Sequence, residues 1–218
     1  LRHVLFRSTV LIWCVHEQPH EDGSAPARMP VTWRGALRLP ARYWLVVLLG
    51  AVFTLARFSE AFLVLRAQDV GLALGHAPLV LIIMNIVYAA SAYPAGVAAD
   101  RFSHRALLSV GLGILVIADV ILALATAPLP ALIGAALWGL HLGFTQGLFA
   151  KLVADHVPAA QRGTAFGMFN LVTGGALLCA SVIAGALWAV CGATVTFLAG
   201  AVFALLPMLG LFMIGRAR

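Results

Sequence analysis

The sequence predicts an all-α integral membrane protein of six transmembrane helices, and three observations lead there. First, 62% of the 218 residues are apolar and only 10% are charged, whereas soluble domains hold about 45–50% apolar and roughly 25% charged residues. Second, mean hydropathy is +1.01, more apolar surface than one soluble core of this length could hide. Third, the basic residues stand singly or in loose groups between long apolar runs, the pattern of membrane flanks.

A span needs about 20 mostly apolar residues, because the hydrocarbon core is roughly 30 Å thick and a helix rises about 1.5 Å per residue. Six stretches qualify, at about 43–65, 78–99, 106–125, 129–150, 163–190 and 193–214. No charged residue stands between Arg162 and Arg216, a run too long for one span, and Cys191-Gly192 is its natural turn. Orientation follows from Lys and Arg in the short loops. Arg28, Arg34, Arg38, Arg42, Arg101, Arg105, Lys151, Arg162, Arg216 and Arg218 fall on one side, and only Arg66 on the other. This asymmetry puts both ends of the six-helix unit in the cytoplasm, with a cell membrane, the inner one in bacteria, as the expected location.

Residues 1–42 differ. Leu11 to Val15 is apolar but too short to span, and His16 to Pro30 carries Pro19, Gly23, Pro26 and Pro30. The segment reads as a cytoplasmic linker with the remnant of a preceding helix, ahead of a transmembrane domain at 43–216. The chain starts at Leu1, which fits either a non-standard start codon or a fragment.

Several function classes fall away. A net charge of +6 would suit nucleic acid only with a basic face, and the arginines form none. Cys14, Cys179 and Cys191 have no metal-like or redox-like spacing. No phosphate-binding Gly-x-x-x-x-Gly-Lys-Ser/Thr loop is present. His16-Glu17-Gln18-Pro19-His20 satisfies the zinc-protease pattern, but both histidines must share a helical face, and Pro19 inside that helix costs about 3 kcal/mol. Neither metal, cofactor nor enzymatic activity is expected.

Gly96-Val97-Ala98-Ala99-Asp100-Arg101-Phe102-Ser103-His104-Arg105 resembles the loop signature of the major facilitator superfamily, Gly-x-Leu-Ala-Asp-Arg-x-Gly-Arg-Arg. Gly96, Ala99, Asp100, Arg101 and Arg105 match; Ala98, Ser103 and His104 depart, as the more degenerate second copy of the signature usually does. Arg57 to Leu63, Gly139-Leu140-His141-Leu142-Gly143 with Gln146-Gly147, and Pro158 to Gly167 are similar to family segments in the same order. The resemblance covers residues 43–216 and implies helices seven to twelve of a twelve-helix transporter. It further implies one bundle of two three-helix repeats, alternating access, and a partner that is an N-terminal six-helix half or a second copy. The first and fourth spans would line the cavity, the second and fifth would lie nearby, and the third and sixth would face lipid.

Ionisable groups in hydrocarbon are functional candidates, since each costs at least about 2.5–3.5 kcal/mol to insert. Arg57, Glu60, Asp119 and His141 qualify, with the polar Asn85, Tyr88, Thr145, Gln146, Asn170 and Thr173. Arg57 and Glu60, three apart, are expected on one helix face and close enough to pair. Both lie within roughly 12 Å of the outer surface, as does Asn85, whereas His141 is nearer the midplane. The substrate and proton pathway is thus assigned to Arg57, Glu60, Asn85, Tyr88, His141 and Gln146. Arg57 would clamp an anion or substrate, Glu60 would partner it or carry a proton, and His141 would hydrogen-bond or carry a proton. The bland alternative is a self-neutralising Arg–Glu pair and a histidine satisfied by a neighbour. Asp119 is expected to turn towards a neighbouring helix in a structural role.

At the cytoplasmic surface, Gly96, Asp100, Arg101 and Arg105 are assigned to gating, with Asp100 docking on a helix N-terminus or a basic group in one conformational state. Gly167, Gly174, Gly175, Ala180, Ser181 and Gly185 in the fifth span are expected to serve close helix packing. Three functions stay open: half of a proton-coupled secondary transporter for a small solute or drug, a non-transporting remnant or scaffold, and a membrane metalloprotease. With its second bundle missing, the chain alone is not expected to transport.

Overall fold

Where no water reaches the backbone, only intrahelical bonding satisfies every N–H and C=O, so apolar runs become helices. The computed structural model describes residues 39–216, and among them there is no strand. Helices α1 (Ala41–Leu55), α2 (Ala61–Asp69), α3 (Ala77–Arg101), α4 (His104–Leu124), α5 (Pro128–Asp155) and α6 (Arg162–Arg216) follow one another, with single 3₁₀ turns at Leu74–His76 and Ala159–Gln161. Four helical stretches are long and apolar enough to cross a membrane: Leu74–Arg101, His104–Leu124, Pro128–Asp155 and Ala159–Leu209.

The last of these has the length of two spans. Inside α6, Gly192 has φ +81° and ψ 175°, a conformation essentially reserved for glycine. It divides α6 into limbs 162–191 and 193–216. The first limb packs along α1, where the Tyr43 hydroxyl donates to the Ala165 carbonyl at 2.8 Å. The second packs on α4, where Thr194 Oγ1 donates to the Ala123 carbonyl at 3.2 Å.

The first expected span, 43–65, is not one helix. It stops at Leu55 and resumes at Ala61, leaving Arg57, Phe58 and Ser59 outside helical structure. The Ser59 N–H turns away from its own helix to the Ser181 hydroxyl of α6 at 3.1 Å. Irregular backbone at membrane depth is tolerated where protein or a cavity surrounds it, and both conditions hold here. Phe58 plugs the break into the core, its ring centroid 5.4 Å from that of Trp138 and 5.3 Å from that of Phe197.

Beyond the break, α2 is held by its one arginine. The buried Arg66 guanidinium donates to the carbonyls of Leu122 (2.8 Å), Ala123 (3.0 Å) and Ala125 (2.9 Å), and it pairs with Asp69. It thereby adds donors to the C-terminal carbonyls of α4 and its cap. Leu122 also accepts a long 3.4 Å bond from the Ala125 N–H, whereas the Ala125 carbonyl has Arg66 alone among the described residues.

The centre of the bundle is the α3–α5 contact, with α4 against α5 and α6. Backbones meet there: a Cβ on Gly139 would collide with the Met84 carbonyl, and one on Gly143 with Ser91 Oγ. Close packing had been expected instead from the glycines of the fifth span. Added Cβ atoms at Gly167, Gly174 and Gly175 would meet nothing within 4 Å, and one at Gly185 only the Phe62 ring edge at 3.9 Å. Of the expected fifth-span set, Ala180 is buried in the core and Ser181 meets the Ser59 N–H, while the glycines at which one helix meets the main chain of another lie on α5. Asp119 of α4 is 0% exposed and has no hydrogen-bond partner among the described residues; its carboxylate abuts Gly200 of α6.

Candidate functional site

Where α1 breaks, a cavity of about 390 Å³ opens between α1, α5 and the first limb of α6. The end of α1 contributes Phe53 and Thr54, and the break contributes Arg57; α5 adds His141, Thr145, Gln146 and Phe149, and α6 adds Phe166, Phe169, Asn170 and Thr173. Each hydroxyl is spent locally: Thr54, Thr145 and Thr173 donate to the carbonyl four residues back at 2.8, 2.9 and 2.8 Å, a habit that bends helices.

His141 is 2% exposed. Its Nδ1 lies 2.7 Å from the Gly111 carbonyl of α4; a carbonyl only accepts, so Nδ1 carries a hydrogen and Nε2 of the neutral ring is left as an acceptor. Gly111 has to be small for this approach, because a Cβ there would press on Thr145 Cγ2 at 2.6 Å.

The structure brings Arg57, His141 and Gln146 to one cavity and separates the other assigned residues from it. Arg57 and Glu60 do not share a helix face, since the break runs between them. No ion pair joins them, and Glu60 does not line the cavity. Asn85 is exposed, with its amide on the Leu81 carbonyl of its own helix at 2.8 Å. Tyr88 reaches the site indirectly, donating its hydroxyl to Gln146 Oε1 at 3.0 Å.

A second cleft, of about 170 Å³, runs between α3 and α5 and is lined by Tyr88, Gly96, Asp100, Phe144 and Lys151. At its mouth Lys151 Nζ donates to Asp100 Oδ1 at 2.8 Å. That hydrogen bond, then the lysine's charge, holds the Asp100 carboxyl below the usual carboxylate range, and the same contact holds Lys151 above the usual lysine range. Arg101 and Arg105 are exposed beside it.

Sequence reasoning missed three groups. By sequence Lys151 counts only as a flanking charge, although it stands at the same membrane face as Asp100, a usable signal. Arg66 was read only as the lone outer charge. The phenylalanine wall carried no signal, because phenylalanine is ordinary in a membrane helix. Among the described residues no group of His, Cys, Asp and Glu could hold a metal; the His16–His20 motif lies outside them.

A helical bundle of membrane-spanning length, with an arginine facing an internal cavity, fits a multi-pass membrane protein. Residues 45–218 match the family model of the Major Facilitator Superfamily, and the chain belongs to that family of membrane transport proteins. It is 31% identical over 216 residues to an uncharacterized MFS-type transporter of Methanocaldococcus jannaschii, an alignment covering 96% of this chain and 53% of the relative. The chain thus spans about half the length of the curated relative it matches.

Proposed function

We propose that the chain is the C-terminal six-helix half of a proton-coupled secondary transporter. It would work by alternating access, with its substrate in the Arg57–His141 cavity. The observation that carries this reading is the break in the first helix at the point where a cation enters the bundle. Interrupted helices at the bundle interior are where transporters of this architecture place binding sites, and an arginine at that depth is costly unless it is used.

In this reading α1–α2 and α5 each supply one wall, corresponding to the first and fourth spans, with α6 supplying a third. Glu60, adjoining the break, is the proton carrier. The Asp100–Lys151 pair latches the cytoplasmic ends of α3 and α5 in one of the two states. The opposite half of the cavity comes from an N-terminal bundle or a second copy, which fits the half-length match to the relative.

Everted vesicles from cells overproducing the chain together with an N-terminal six-helix partner test this with a panel of small solutes under an imposed pH gradient. At least one solute should accumulate with the gradient. Its uptake should fall more than about tenfold in Arg57→Ala, a loss of about 1.4 kcal/mol or more, and lose its gradient dependence in Glu60→Gln. A non-transporting scaffold predicts no gradient-driven flux of any solute.

A further inference from the structure

We infer that the cavity at the helix break takes an organic monoanion with a flat aromatic body, its negative group on Arg57; this rests on the transport reading above and narrows it. Among the described residues Arg57 is the one cation lining the cavity, and no Asp or Glu lines it. The other described acids are placed elsewhere. Asp69 is taken by Arg66 and Asp100 by Lys151; Asp119 is shut in against Gly200; Asp155 is exposed at the end of α5; and Glu60 makes no ion pair with Arg57. The cavity therefore holds one positive charge that no acid of its lining pairs with, the Glu60 charge acting on it only from outside the cavity. A guanidinium's best complement is a planar bidentate anion such as a carboxylate.

The remaining donors suit the same ligand. Tyr88 occupies Gln146 Oε1, which leaves the Gln146 amide NH₂ to donate, and Asn170 stands across the cavity on α6. The three threonine hydroxyl hydrogens are already committed to backbone carbonyls. The body of the ligand is set by Phe53, Phe149, Phe166 and Phe169. Phe53 and Phe149 meet edge-on at 5.2 Å between centroids, and Phe149 and Phe169 are tilted at 6.0 Å, within the centroid range of aromatic pairs. A cationic amphiphile would match the rings but meet the charge of Arg57.

The test is equilibrium binding of three probes of one shape to the full chain in lipid nanodiscs: 2-naphthoate, 2-naphthamide and 2-naphthylmethylammonium. Naphthoate should bind at least about tenfold more tightly than the other two, a difference of about 1.4 kcal/mol. Arg57→Gln should remove that preference by weakening naphthoate binding at least about tenfold without lowering the melting temperature, and Arg57→Lys should restore part of it. The inference is overturned if the amide or the ammonium compound binds as tightly as the acid, if Arg57→Gln leaves naphthoate affinity intact, or if none of the three binds. The vesicle panel is read separately. Gradient-driven flux of a neutral or cationic solute would sink the anion class and keep the transporter, and absence of all flux would sink the transporter itself.

Discussion

The two sides of α5 are built on opposite terms. Towards α3 it presents Gly139 and Gly143, whose missing side chains let main chain approach main chain. Towards α1 and α6 it presents His141, Thr145, Gln146 and Phe149 around an open cavity. The contact between α1 and α6 is also made through side chains: Gly50 lies under the Phe169 ring, and Tyr43 and Ser181 reach across it. Backbone contacts cannot yield, whereas rings and hydroxyls can rotate. A rigid α3–α5 frame, with α2 pinned to α4 by Arg66, thus carries a wall that can adjust to a ligand.

The largest effect is expected where the frame is broken. Gly139→Leu would force side-chain atoms into the Met84 backbone, and no folded protein should be recovered from detergent extraction. Gly139→Ala should destabilise by about 3 kcal/mol, the upper end of overpacking costs, because the obstacle is main chain. Reversible denaturation in mixed micelles measures it; a loss below about 1 kcal/mol would mean that α3 can retreat. Arg66→Ala comes next. It strips the carbonyls of Leu122, Ala123 and Ala125 of a donor, and an orphaned group costs about 1–3 kcal/mol. A loss of about 1–3 kcal/mol is expected, since Thr194 still serves Ala123 and the Ala125 N–H still serves Leu122 while the Ala125 carbonyl is orphaned, together with faster amide exchange at the end of α4.

Much of this contrast could be read from the chain, and the unread part has a physical cause. Apolar run length marked the helical stretches closely: 78–99 against the observed Ala77–Arg101, and 129–150 against Pro128–Asp155. A glycine between two apolar runs pointed to the turn inside α6. The break at 56–60 left no such mark, because the group that accepts its freed N–H, Ser181, is 122 residues away. In the site, Arg57 and His141 stood out because charge in hydrocarbon is expensive. Their surroundings did not, since which of twelve phenylalanines face a cavity depends on helix rotation and not on composition. The glycines show the same limit. Family-like spacing singled out Gly139 and Gly143, while Gly174 and Gly175 looked equally fit for packing. Only the neighbouring backbone tells them apart.

Single glycine-to-alanine changes on the adjustable side measure how soft it is. A Cβ at Gly50 would come 2.5 Å from Phe169 Cε2, and that ring can swing. Gly50→Ala should therefore cost less than about 1.5 kcal/mol while weakening ligand binding, because Phe169 would be pushed into the cavity. Gly174→Ala meets nothing and should be neutral or stabilising by up to about 1 kcal/mol, the helix-propensity gain over glycine. If Gly174→Ala destabilised as much as Gly139→Ala, the distinction between frame and wall would fail.

The smallest stability effect, and the one most tied to function, belongs to the Asp100–Lys151 pair. Asp100 is held below its ordinary pKa, so its contribution is present above the unfolded carboxylate value, about 3.9, and is lost as pH falls through the folded one. Lys151 is held above its ordinary value, so its share is present below about 10.4 and is lost as pH rises through the folded value. The latch is therefore whole across the neutral range and weakens at both extremes. Both side chains are exposed, so melting temperature should barely move in Asp100→Asn or Lys151→Gln. The readout is access to the cleft the pair closes. With the three native cysteines replaced by serine, alkylation of Ala92→Cys, on the cleft wall, should quicken in either variant. It should also quicken at 1 M salt, where screening acts over about 3 Å, and below about pH 4 once rates are normalised to a free thiol. The charge-reversed pair Asp100→Lys with Lys151→Asp should bring the rate back towards that of the parent. Equal rates in all variants would make the contact an incidental surface pair, and the cytoplasmic end of the α3–α5 frame would then need no latch.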